Sequence, residues 1–284
     1  MYFTLMETNE KRYIMFDNHT HHTPYDAEIL AREASFFRSH YSCMGIRGFL
    51  VLSPPKEEGS DFSTAFYSEK GCRGELLLDE AICALEFAGS LGIPLTSGTF
   101  SAGGALVRYE KGDFPTKTAL HISENLDTPL SPSFFRCGAE NLCFYSLKVP
   151  APHGVILLDY PGIFHSSELL FLAKTLASDP LLFPLGGDVS FIESADEEGR
   201  LEICTYIREE NRLSRSSSEG AVACAMVYHG LHPERDVLRI ASSSGEKIIS
   251  FSQRENARHI SFYGKASCIS KGTVLEKEIF CGAR

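Results

Sequence analysis

The residues that could do chemistry fall at two places 140 positions apart. Arg212–Leu231 reads RLSRSSSEGAVACAMVYHGL, a loop of four serines running into an apolar stretch. Glu75–Ile93 reads ELLLDEAICALEFAGSLGI and has the same plan. Setting Glu80-Ala81 on Gly220-Ala221 pairs Ile82 with Val222, Leu85 with Ala225, Phe87 with Val227 and Leu91 with Leu231. The same offset pairs Asp79 with Glu219, two carboxylates that could act as general acid and base. Carboxylates in a first helical turn also complement the helix dipole, at about 0.3–1 kcal/mol each. Ser217 could move a proton if a neighbour activates its hydroxyl. It could equally be an N-cap, where serine is favoured.

Other reactive types are scattered. Cys72 precedes the first helix, and Cys83 lies inside its apolar face, where a thiol behaves as a small hydrophobe. His19, His21 and His22 form H-x-H-H without ligand-spaced cysteines or carboxylates, which reads as a solvated loop. The chain has no G-x-G-x-x-G or Walker loop.

Composition narrows the class. The 284 residues are 43% hydrophobic, which suits one large domain or two ordinary ones. The longest apolar runs fall short of the ~18 residues needed to span a bilayer. Nine cysteines occur at irregular spacing with no C-x-x-C. With no recognisable leader segment at the N-terminus, reduced thiols and a cytoplasmic location are expected. A net charge of −10 without a dense Lys/Arg block disfavours nucleic acid and anionic membrane surfaces as partners.

These groups need a framework, and the chain repeats one. The first half reads as strand (Arg12–Asp17), helix (Asp26–His40), strand (Gly48–Leu52), strand (Asp61–Ser68), loop and helix. The second half repeats it with His153–Tyr160, Glu168–Ala177, Val189–Glu193, Leu201–Arg208, loop and helix. The repeat sets Asp17 on Asp159. Further β-favouring runs follow both central helices. The expected fold is α+β, with two pseudo-symmetric domains. Each is a curled, mostly antiparallel sheet wrapped around an apolar helix. The domains are placed at 1–125, completed by about 266–284, and at 126–265.

The order DFSTAFYSEKG…LLLDEAICAL, PAPHGVILLD, FPLGGDVSFIES, YIRE…SSSEGAVACA resembles the diaminopimelate epimerase family. That family shows F-N-A-D-G-S-E, a C-G-N-G helix start, N-P-H-x-V, N-V-N-F, an E-R-G segment and a C-G-T-G helix start. The resemblance spans Asn9 to about Val274. It implies two helix N-termini aimed at a substrate α-carboxylate in a cleft between the domains, with one thiol acting on each face of the carbon. The two thiol positions fall on Leu77 and Ser217, so both expected bases are replaced. His153 of the N-P-H motif is carried over as a catalytic candidate. Substrate-binding positions carried over are Asn9, Ser68, Asp79, Asp188, Arg208, Ser218 and Glu219.

The function so implied is an isomerase, an amino-acid epimerase or racemase. The leading substrate is LL-diaminopimelate, converted to the meso form for lysine and peptidoglycan precursors. No cofactor or metal is expected, the partner is a small amino acid, and a homodimer is a candidate assembly. Two alternatives stand beside it. One is an isomerase similar to the phenazine-biosynthesis group, using the carboxylates Asp79, Glu219 and Asp188. The other is an inactive binding relative.

Overall fold

The structure is a computed structural model that describes residues 2–20, 45–103, 105–111, 118–122, 131–137, 140–149, 151–158, 165–243, 245–254 and 257–273. Its elements are strands β1 (Tyr2–Thr8), β2 (Lys11–Asp17), β3 (Ile46–Ser53), β4 (Phe62–Ser68) and β5 (Arg73–Gly74), helix α1 (Leu78–Ser90), and strands β6 (Ser97–Ala102), β7 (Ala105–Lys111) and β8 (Thr118–Ile122). Next come β9 (Pro132–Cys137), β10 (Glu140–Val149), β11 (Ala151–Leu157), helix α2 (Ser166–Ala177), β12 (Asp188–Ala195), β13 (Arg200–Ile207) and β14 (Arg212–Ser214). Helix α3 (Ser218–Leu231) leads to β15 (Val237–Ala241), β16 (Lys247–Arg254), β17 (Ala257–Gly264) and β18 (Ser267–Thr273). The fold is α+β and rich in sheet, with three helices among the described residues.

The chain divides into two compact units, Met1–Ile122 with Tyr263–Arg284, and Ser123–Phe262. In the first, β18, β1 and β2 run antiparallel, β2 and β3 are parallel, and β3 and β4 are antiparallel. In the second, β10 and β11 are antiparallel, β11 and β12 parallel, and β12 and β13 antiparallel. Helices α1 and α3 begin 140 positions apart, and so do β2 and β11.

That register corrects one sequence alignment. The shared aspartates had set Asp17 on Asp159, two positions out. Strand pairing sets Tyr13 on His153 instead, since Tyr13 lies opposite Gly48 and His153 opposite Asp188. Side chains alternate along a strand, so the face a residue meets is fixed by pairing rather than by residue likeness. The helix expected over Asp26–His40, the proposed boundary at Glu124–Pro129, and His21 and His22 lie outside the described residues.

Each unit closes around its own helix. In α1, Leu78–Leu85, Phe87 and Ala88 are all buried, and in α3 every residue from Ser218 to His229 is buried. An amphipathic surface helix would leave one face wet. Strands β1, β2, β3, β8 and β18 pack on α1, and β10–β13 and β16 pack on α3. Gly92, at φ +88, ends α1 in the left-handed conformation that costs glycine least. Helix α2 is the conventional amphipathic case. It buries Leu169, Leu172 and Leu176 beside Phe144, Ile156, Phe183 and Phe191. Its first turn is closed by Glu168, whose carboxylate accepts from the His165 backbone N–H at 2.7 Å. None of the helices searched is long and apolar enough to cross a membrane.

Candidate functional site

The first unit builds its polar centre from a hairpin turn. Asn9 and Glu10 join β1 to β2 with φ of 49° and 64°, the pair of left-handed residues a two-residue type I′ turn requires. Asparagine tolerates that region and glutamate does not favour it. The turn places Asn9 and Lys11 at the start of α1. Asn9 Nδ2 donates to Asp79 Oδ1 at 2.7 Å, and Lys11 Nζ stands 2.7 Å from Asp79 Oδ2. The Asp79 side chain is 1% exposed and that of Lys11 12%. A carboxylate this buried is stable only when paired and hydrogen-bonded, and both conditions are met here.

Two positions further along β2, on the same face, the Tyr13 hydroxyl donates to Glu80 Oε1 at 2.8 Å. Burial above all, and then the charges of Glu80 and Asp79, push the Tyr13 phenol well above its ordinary range. Tyr13 is therefore a fixed donor. One turn into α1, burial and then the same two carboxylates push the Cys83 thiol up. It remains a thiol rather than a reactive thiolate.

Leu77 is the N-cap of α1, with φ −96° and ψ −178°, and offers no side-chain cap. Ser68 ends β4 opposite Gly48, and its backbone N–H donates to the Cys72 carbonyl at 2.8 Å. Cys72 is exposed in that turn.

The second unit builds its helix start from serines. Ser217 is the N-cap of α3, and its Oγ accepts from the Gly220 N–H at 3.0 Å. Ser217 is 2% exposed, and Ser218 and Glu219 are buried with it. Buried Lys247 donates to the Ser216 carbonyl at 3.0 Å and to Ser242 Oγ at 3.0 Å. The Ser214 and Ser216 hydroxyls meet at 3.1 Å.

Beneath the first turn of α3, the Ser190 hydroxyl joins His153 Nε2 at 2.8 Å and Thr205 Oγ1 at 2.7 Å. Gly220 has to be small here, because a Cβ would stand 2.0 Å from Thr205 Oγ1. Burial pushes the His153 imidazole down to about 3, so the ring is neutral at ordinary pH. It is a core group one layer under the helix start.

Asp188 and Arg208 meet where β12 begins and β13 ends. The Arg208 backbone N–H donates to Asp188 Oδ1 at 2.9 Å, and Arg208 Nη1 donates to the Leu185 carbonyl at 3.2 Å. The guanidinium lies flat on Gly186, whose φ is +80°.

The structure thus joins Asn9 to Asp79, Asp188 to Arg208, and Ser217 to Ser218 and Glu219 along one turn. It places His153 in the core. Lys11, Tyr13, Glu80 and Lys247 escaped the sequence reading. The period of two along β2 was the available signal, since Lys11 and Tyr13 share a face with each other but carry no motif. No group of three or more His, Cys, Asp or Glu side chains is arranged to hold a metal among the described residues.

What the arrangement offers chemically is a buried, charge-balanced acid–base pair in one unit and a capped serine turn in the other. Low local dielectric strengthens the first pair and raises the cost of separating it.

No family model matches the sequence, and no curated protein does. Solved structures do match the fold. A methylitaconate-delta-isomerase aligns at a TM-score of 0.66 with 11% identity, over 98% of this chain and 97% of that one. A phenazine biosynthesis PhzC/PhzF protein from Clostridium difficile aligns at 0.62 with 12% identity, over 97% and 99%. A hydroxyproline epimerase from Agrobacterium vitis, with bound trans-4-hydroxy-L-proline, aligns at 0.61 with 13% identity, over 96% and 91%. At such identities the likeness is one of fold, and it extends along nearly the whole of each chain.

Proposed function

We propose that this chain is a cofactor-independent isomerase that moves a proton on a carbon of a small carboxylate-bearing substrate, using groups other than thiols. The observation that carries the reading is the meeting of Asn9, Lys11 and Asp79 at the start of α1. A charged acid–base pair is assembled there, beside the leucine that stands in the thiol position of the resembled family. The neighbours by fold support the class, because two of them are named as an isomerase and an epimerase. Diaminopimelate epimerisation is the finer form of this proposal, and it rests on the order of motifs. Leu77 has no proton to move, so any epimerisation here works through different groups.

A second reading has its own support. Ser217 is 2% exposed and already accepts a helix N–H, and Asp79 has almost no exposed surface. Both are what a non-catalytic relative would show.

Deuterium wash-in separates the two. The protein is incubated in D₂O with LL-diaminopimelate, trans-4-hydroxy-L-proline and methylitaconate, and solvent deuterium in each recovered compound is measured by mass spectrometry. Incorporation into one of them is expected. No incorporation into any sinks the isomerase reading in favour of the binding relative.

A further inference from the structure

The groups near the start of α1 that hold an exchangeable proton or can accept one include Lys11, Asp79, Glu80 and Tyr13. Asp79, Glu80 and Tyr13 are buried. Asp79 Oδ1 accepts from Asn9 and Oδ2 faces Lys11, while Glu80 Oε1 accepts from Tyr13. Asp79, Glu80 and Tyr13 are 0%, 4% and 0% exposed. The Lys11 side chain keeps 12% exposure. It ends an aliphatic stem in a group that changes protonation state, which an arginine in its place would not do.

From this we infer that Lys11 is the proton-carrying residue of the first unit, with Asp79 and Asn9 as its positioning residues. The inference rests on the isomerase reading above and names the residue that performs it.

A carboxylate 2.7 Å away favours the ammonium form, so Lys11 rests as a donor. Lys11 first gives one ammonium proton to solvent water, which its 12% exposure admits, and the resulting amine takes the proton from the substrate carbon. The C–H bond breaks, its electron pair stays on carbon and spreads into the adjacent carboxylate, and an N–H bond forms. The ammonium exchanges its hydrogens with water and returns one to carbon. Asn9 holds Asp79 Oδ1, which leaves Oδ2 to fix the direction of the ammonium. This is the base–orienter relation of nucleophile and base sites, written for a lysine.

The test uses two substitutions with different consequences. Lys11→Arg keeps a cation against Asp79 and so keeps the ion pair, but a guanidinium does not give up its proton. Lys11→Ala leaves a space that a small amine can enter.

The expected result, on whichever compound the wild-type protein labels in D₂O, is at least a 100-fold loss of wash-in for both variants. Lys11→Arg should retain the wild-type melting temperature. Added ethylamine should restore exchange to Lys11→Ala and leave Lys11→Arg unchanged.

Wild-type wash-in by Lys11→Arg overturns the assignment while leaving the isomerase reading intact. Loss of activity in Lys11→Ala without amine rescue reduces Lys11 to a structural cation and also overturns it. Failure of the wild-type protein to label any compound defeats both proposals together. If Lys11→Arg does not fold, the amine titration of Lys11→Ala decides.

Discussion

Tyr13 and His153 occupy equivalent positions, each the third residue of its strand, yet they reach different partners. Tyr13 donates upward to Glu80 in the helix, and His153 turns to Ser190 in the sheet. The difference follows from the helix residue above them. Glu80 fills the first turn of α1, whereas Gly220 at the same place in α3 leaves no side chain to meet.

The neutrality of His153 sets an acid dependence. Its folded value, about 3, lies below the ordinary 6.5, so the unfolded chain binds the proton first. The stabilisation is complete above pH 6.5 and is lost as pH falls towards 3, at about 1.4 kcal/mol per pH unit. Urea unfolding of the wild-type protein and His153→Gln at pH 7, 6, 5 and 4 should show the wild-type acid limb falling more steeply. Parallel limbs would show that His153 is not a buried neutral ring.

Removing Asp79 strands a lysine in a largely dry setting. Asp79→Ala should destabilise the protein by about 3 kcal/mol, as breaking one partner of a buried pair does. Adding Lys11→Met to it should recover part of that loss. A double-mutant cycle by chemical denaturation measures the coupling, and additive losses would mean the pair contributes nothing.

Ser217 caps α3. Ser217→Ala should cost about 1 kcal/mol, and Ser217→Asp should restore most of it, because both native and aspartate side chains accept the Gly220 N–H. Thermal unfolding of the two variants decides. An aspartate no better than alanine would remove the capping role.

Gly220→Ala gains about 1 kcal/mol of helix propensity and loses more to overpacking, since the new Cβ meets Thr205 Oγ1 and Ser190 Oγ. A net loss of about 1–2 kcal/mol is expected. Thr205→Ala in the same chain should relieve it. Calorimetry that finds Gly220→Ala neutral would show that α3 can shift away from β12 and β13.

The two central helices and their spacing were legible because an apolar run of helical length after a polar loop is a local signal, and it occurs twice. The α+β class followed from the same repeat. The polar centre was legible only in part. Asn9 and Asp79 were singled out through the resemblance, but the bond between them spans 70 residues and no local pattern announces it. Lys11 is one of 27 Lys and Arg residues, and nothing beside it in sequence marks it as the partner of a buried carboxylate. The surviving Pro152-His153 pair points to a catalytic role by resemblance. The true environment of His153 depends on Ser190 and Thr205, which come from two other strands.

The pairing of β1 with β18 has a consequence for synthesis. Tyr2–Thr8 leaves the ribosome before its partner Ser267–Thr273, which follows more than 250 residues later. The first unit therefore waits with an open edge strand while the second, continuous in sequence, is made and can close. An exposed edge is a template for other strands. The hairpin that carries Asn9 and Lys11 thus passes its most vulnerable period during translation, and slowed elongation through the second unit should raise the aggregated fraction of nascent chains.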